Sequence, residues 1–176
     1  MTVPTLTPTG REVFFDEDEI IVSKTDTKGI ITYANDIFLS VAGYTEREVL
    51  GQPHNFIRHP DMPRCVFQLL WDALRSGEEI FAYVMNLTKS GDHYWVLAHV
   101  TPTFDSAGKI VSYHSSRRVP ERLAIDTIIP LYKELVIIEA GHTDRAKGIQ
   151  AATVALLKKL GELKLSYSEF VFALQV

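Results

Sequence analysis

The chain has 176 residues, 46% of them apolar and 23% charged, with a net charge of −4. This is the composition of a globular protein able to bury a core, and no block of five or six like charges marks a nucleic-acid surface. The single cysteine, Cys65, excludes an internal disulfide and a cysteine-based zinc cluster.

The start, MTVPTLTPTG, has no basic n-region and no apolar h-region, so it does not read as a signal peptide. No apolar run approaches the roughly 20 residues of a membrane span. A soluble, cytoplasmic protein is expected, with residues 1–18 as a flexible arm rich in Thr and Pro near its start.

The β-rich EIIVSKTD (19–26), the turn TKG and IITYAN (30–35) predict a hairpin. A short helix fits Asp36–Val41, broken by Gly43. Thr45 and Glu48 have the spacing of a capping box, with Gly51 ending the turn. The proline-rich HNFIRHPDMP (54–63) opposes a regular helix. PRCVFQLLWDALRSG then gives the clearest helix, with Asp61 as a candidate cap, Pro63 in the first turn and Gly77 at the close. Val66, Phe67, Leu70, Trp71 and Leu74 fall on one face. Three strands follow at 80–88, 92–104 and 109–119, joined by the hairpin signals KSGD and DSAGK.

From Pro120 to residue 176 the spacing is helical, with a break expected at Pro130 and a loop near Gly141–Asp144. In the last segment Val154, Leu157 and Leu160 read as one apolar face. Two strands, short helices, three strands and terminal helices describe an α+β domain with an antiparallel sheet. A sheet face under a helical lid encloses a cavity, which suits a ligand.

HNFIRHPDMP places His54, Arg58, His59 and Asp61 within eight residues. Three readings compete for it. His54, His59 and Asp61 are permissible metal ligands, but five-residue spacing is not that of a helical pair, and Arg58 opposes a cation. Catalysis needs a nucleophile or an acid–base pair in a defined arrangement, and Ser40, Ser90 and Cys65 have no motif around them. In the third reading the stretch is a polar wall around a bound molecule. An isolated pair of Arg58 with Asp61 is the bland alternative.

The segments ITYANDIFLSVAGYTEREVLGQPHNFIRHPDMP, GDHYWV and IIPLYKEL resemble a PAS domain, and within that family the flavin-binding type of bacterial aerotaxis receptors. The likeness covers roughly residues 20–135, and GQPHN.IRHPDMP is its most specific part. It implies a five-stranded antiparallel sheet with helices on one face; with the helical spacing after Pro120, the expected division is a PAS domain over 19–119 and a helical extension over 120–176. It also implies a non-enzymatic sensor holding FAD without a covalent bond, whose redox state is the signal.

The implied cofactor residues are Asn35, His54, Arg58, His59, Asp61, Trp71 and Asn86. Arg58 offers a planar fork for a diphosphate, and free N–H groups of the helix after Asp61–Pro63 would face the same anion. Asn86 would read the flavin ring edge, while Asn35 serves equally well as a helix cap. Ile80 and Leu87 depart from a tryptophan and a basic residue often found in that family. Cys65 lies outside the position of a photoactive cysteine, so no covalent photocycle is implied. A haem or ligand-free PAS module and a metal-dependent hydrolase are the other hypotheses. The expected partner is a signalling protein or a second copy (a homodimer), reached through the C-terminal helices, with no nucleic acid and no membrane span in the chain.

Overall fold

The structure is a computed structural model and describes residues 6–175. Strands form where β-branched and aromatic residues gather: β1 Ile21–Thr25, β2 Ile31–Ala34, β3 Ile80–Leu87, β4 His93–Phe104 and β5 Ile110–Arg118. They make one antiparallel sheet in the order β2-β1-β5-β4-β3. The register pairs Val84 with Val96, Met85 with Trp95 and Asn86 with Tyr94. Alternation then sends Val84 and Asn86 to one face and Tyr83, Met85 and Trp95 to the other.

Helices α1 (Asp36–Ala42), α2 (Glu46–Val49) and α3 (Arg64–Arg75) lie between β2 and β3. Gly43 ends α1 at φ 73° and Thr45 with Glu48 forms the expected capping box. HNFIRHPDMP is not wholly irregular, because His54–Ile57 closes one 3-10 turn before Pro60 stops it. Asp61 does not cap α3. Pro63 stands at the N-cap with no side-chain hydrogen bond.

The C-terminal helices are α4 (Arg122–Ala140), α5 (Arg145–Leu163) and α6 (Tyr167–Ala173). They pack against the second face of β3 and β4. The Tyr132 hydroxyl donates to the Tyr83 carbonyl at 2.7 Å, and the Tyr83 hydroxyl donates to the Val171 carbonyl at 3.2 Å. The expected break at Pro130 does not occur. Pro130 sits exposed inside α4, where packing by Ile125, Ile128, Tyr132 and Leu135 carries the helix through one missing hydrogen bond.

The expected Val154–Leu157–Leu160 face also differs. Val154 and Leu157 are exposed, and α5 buries Gly148, Ala152, Leu156 and Leu160 at four-residue spacing. Small residues won because α5 lies close to α4, where a Cβ at Gly148 would come 2.6 Å from the Glu139 carbonyl oxygen.

Residues 9–13 of the N-terminal arm are tied to the start of β4. Thr9 N–H donates to Gly91 O, and Val13 N–H to His93 O at 2.8 Å. Thr9 and Arg11 side chains both bond the buried Asp92 carboxylate. Those bonds hold Asp92 down at a pKa of about 2. Residues 1–5 of that arm lie outside the described residues.

Candidate functional site

Between the sheet and α3 lies a cavity of about 100 Å³. Its flanks are apolar: Leu70, Trp71 and Leu74 from α3 face Val84, Ala98 and Val100 from the sheet. The helical period of α3 and the two-residue period of the strands put these groups opposite one another. Polar groups stand at the cavity's margins, from β1, the 3-10 turn, β3 and β5.

Arg117 is the strongest of these. It is 3% exposed, and its guanidinium donates from Nη2 to Ser23 Oγ at 2.8 Å and to His54 Nε2 at 2.5 Å. Its Nη1 is buried without a partner, and it makes no ion pair among the described residues. Burial pulls its pKa down to about 10. An uncompensated buried cation is costly. Asn86 repeats the theme two strands away, on β3: it is buried, and its Nδ2 has no partner among the described residues. Two donors without acceptors therefore border one apolar cavity.

His54 accepts from Arg117, so its ring is neutral with the proton on Nδ1. Burial and the Arg117 charge push its pKa down to about 3. It is not free to bind a metal or a haem iron through Nε2. His59 faces away from it; its Nδ1 accepts from Asp61 N–H at 3.1 Å, and its ring meets His93 edge-on at 5.7 Å. Among the described residues no three His, Cys, Asp or Glu side chains gather in a way that could hold a metal ion.

Arg58 is half-buried at the rim of the cavity and does not pair with Asp61. Its Nη2 donates to Met62 O at 3.1 Å, and its guanidinium lies 4.2 Å from the Phe67 ring centroid. Burial first, and then the neighbouring Arg64, lower its pKa to about 10. The helix start expected to face an anion is already engaged, because Cys65 N–H donates to Glu139 Oε1 at 2.8 Å. Burial first, and then that carboxylate, raise the Cys65 thiol to about 12, so no reactive thiolate is present.

Of the seven residues the sequence singled out, His54, Arg58, Trp71 and Asn86 line the cavity together. Trp71 meets Tyr113 edge-on at 5.5 Å. Asn35, His59 and Asp61 do not line it. Asn35 caps α1, accepting from Phe38 N–H and Val22 N–H while donating to Ile20 O. His59 and Asp61 shape the bend that carries Arg58.

Sequence reasoning missed Arg117, Ser23 and Ser115. The signal for Ser115 and Arg117 is the alternation of YHSSR in β5, which puts them on one face with Tyr113, while Ser23 is found only through its pairing with Ser115.

Residues 31–117 match the PAS fold family. The chain is 43% identical over 147 residues to the aerotaxis receptor of Escherichia coli (strain K12), covering 84% of this chain and 28% of the receptor. It is 34% identical over 80 residues to phototropin-2 of Oryza sativa subsp. japonica, covering 46% of this chain and 9% of that protein. A solved light-oxygen-voltage domain, whose mechanism was probed with a flavin analogue, superposes with a TM-score of 0.55 at 25% identity. It covers 65% of this chain and 87% of that one.

The chain thus spans 28% of the receptor's length and 9% of the phototropin's. No described helix is long and apolar enough to cross a membrane. These likenesses, to receptors and photoreceptors, make the domain a non-enzymatic sensor. The chain carries a domain of the PAS fold family, and that domain is of the aerotaxis-receptor type.

Proposed function

We propose that the chain binds FAD without a covalent bond and reports redox state in aerotaxis-type signalling. The observation that carries this reading is the pair of unpartnered donors, Arg117 Nη1 and Asn86 Nδ2, beside a cavity with apolar flanks. A flavin ring system has two apolar faces and a rim of nitrogen and oxygen acceptors, so it matches apolar flanks and marginal donors at once. Ligand sites generally have this make-up, mostly apolar with a few placed polar groups. When bound, the flavin supplies reversible electron uptake.

The chain's own residues then divide the work. Leu70, Val84 and Val100 exclude water from the ring faces, while Asn86 and Arg117 hold the acceptor rim. The Arg117 charge also favours an occupant that gains negative charge. Arg58, at the rim and in no ion pair among the described residues, suits the diphosphate half. The cavity as folded is smaller than the roughly 300–1,000 Å³ of ligand pockets. Binding therefore asks half-buried Phe67 and Trp71 to swing outward. On this reading the domain works in the cytoplasm and hands its signal through the C-terminal helices to a signalling protein or a second copy.

The test is the absorption spectrum of the purified protein, with chromatography of the ligand released on denaturation. Oxidised-flavin bands and FAD near one equivalent are expected. A Soret band, or a protein that neither carries nor takes up FAD, overturns the proposal.

A further inference from the structure

Helix α3 forms one wall of the cavity, yet it has no N-cap of its own. The residue at its N-cap, Pro63, carries no side-chain acceptor. The acceptor comes instead from 74 residues further along the chain: Glu139 Oε1 takes the Cys65 N–H at 2.8 Å. Glu139 belongs to the last turn of α4, where a carboxylate is unfavourable beside the helix's own free carbonyls. It is nonetheless buried. The positive end of α3, together with the nearby Arg58 charge, offsets that local cost.

Beneath it, Gly148 of α5 has no room for a side chain. An added Cβ there would stand 2.6 Å from the Glu139 carbonyl oxygen. The end of α4 therefore cannot shift toward α5 without moving it. On the far side, the Tyr132 hydroxyl ties the middle of α4 to the Tyr83 carbonyl of β3, the strand that bears Asn86.

From this arrangement we infer that Glu139 is a positioning residue, a latch through which the cavity wall α3 and the C-terminal helices α4–α5 move as one. It rests in part on the flavin reading, since FAD is the occupant expected to bear on α3 by moving Phe67 and Trp71. Coupling of this kind is reciprocal: α3 biases α4–α5 by the same coupling free energy with which α4–α5 biases α3.

The experiment is amide hydrogen exchange on the full chain, flavin-free and FAD-loaded, for wild type, Glu139→Ala and Glu139→Gln. In the flavin-free protein, Glu139→Ala is expected to speed exchange roughly fivefold to tenfold in the first turn of α3, as the loss of a cap does. The end of α4 and the start of α5 should change with it. Glu139→Gln keeps an acceptor oxygen and should restore most of the protection in both places.

With FAD, wild-type protection should extend from α3 into α4–α5, and in Glu139→Ala it should stop at α3. Faster exchange confined to α4 and α5, with α3 unchanged, overturns the latch. So does flavin-induced protection that reaches α4–α5 in Glu139→Ala as fully as in wild type. If wild type takes up no FAD, the proposed function falls, and the flavin-free comparison alone decides the latch.

Discussion

Arg117 Nη2 lies 2.5 Å from His54 Nε2 and 2.8 Å from Ser23 Oγ, and no carboxylate answers its charge among the described residues. A buried cation held by two neutral acceptors raises the free energy of the fold unless a ligand compensates it. Arg117→Met should therefore leave the flavin-free protein at least as stable, within about 1 kcal/mol. Ser23 Oγ and His54 Nε2, 3.1 Å apart, keep each other as partners. FAD affinity should fall tenfold or more, since a charge-assisted hydrogen bond contributes about 1.5–3 kcal/mol. Urea melts and flavin titration measure the two effects. A strongly destabilised variant that still binds FAD tightly would make Arg117 a structural residue.

The same contact sets a pH dependence. The folded-state pKa of His54 is lowered to about 3, from 6.5. The contribution of neutral His54 is fully present above pH 6.5. It is lost as pH falls from there towards 3, because the unfolded chain binds the proton first. One group in that window changes stability by at most about 1.4 kcal/mol per pH unit. His59 and His114 are shifted in the same direction, chiefly by burial, and add to the slope. Denaturant midpoints of the flavin-free protein should fall between pH 7 and pH 5, and His54→Gln should flatten the fall. An equal slope in both proteins would assign the loss to other groups.

The reach of the sequence differs between parts of the molecule. The five strands were legible because their alternation is local, and β3, β4 and β5 begin within one residue of the expected positions. His54, Arg58, Trp71 and Asn86 were legible through the likeness carried by HNFIRHPDMP and its neighbours. Arg117 was not. An arginine followed by Arg118 near a strand end reads as a solvated pair; alternation groups Arg117 with Tyr113 and Ser115, but the register is needed to show that this face turns inward.

Pro130 and the α5 stripe were misjudged for a shared reason. Local pattern treats each helix as isolated, whereas packing of α4 and α5 on each other and on the domain overrides local preference. The cap of α3 was illegible altogether, because nothing local connects Cys65 with Glu139.

Arg58 gives a graded test of the site's mouth. Arg58→Ala should weaken FAD about tenfold or more, and Arg58→Lys should fall between it and wild type, because lysine keeps the charge but loses the fork. The fold should survive both, since Arg58 is half-buried and its contacts are one carbonyl and the Phe67 face. Flavin stoichiometry and circular dichroism of each variant are the measurements. Full occupancy in Arg58→Ala would remove this residue from the account of the site.

Gly148→Ala tests the packing on which the C-terminal helices depend. Alanine is the better helix former, so in an isolated helix this change is favourable by about 1 kcal/mol. Here the new Cβ would stand 2.6 Å from the Glu139 carbonyl oxygen and 3.3 Å from its carbonyl carbon, both backbone atoms that cannot turn aside. Overpacking of this kind costs about 1–3 kcal/mol, which outweighs the propensity gain. The helices must part, and α4 is held at its middle by Tyr132 and at its end by Cys65. The variant should therefore lose stability and free the C-terminal helices to protease ahead of the sheet. Gly161, where an added Cβ meets nothing within 4 Å, supplies the control: Gly161→Ala should stabilise the same helix. If both substitutions stabilise α5, the close approach of α4 and α5 is not what holds the C-terminal helices to the domain.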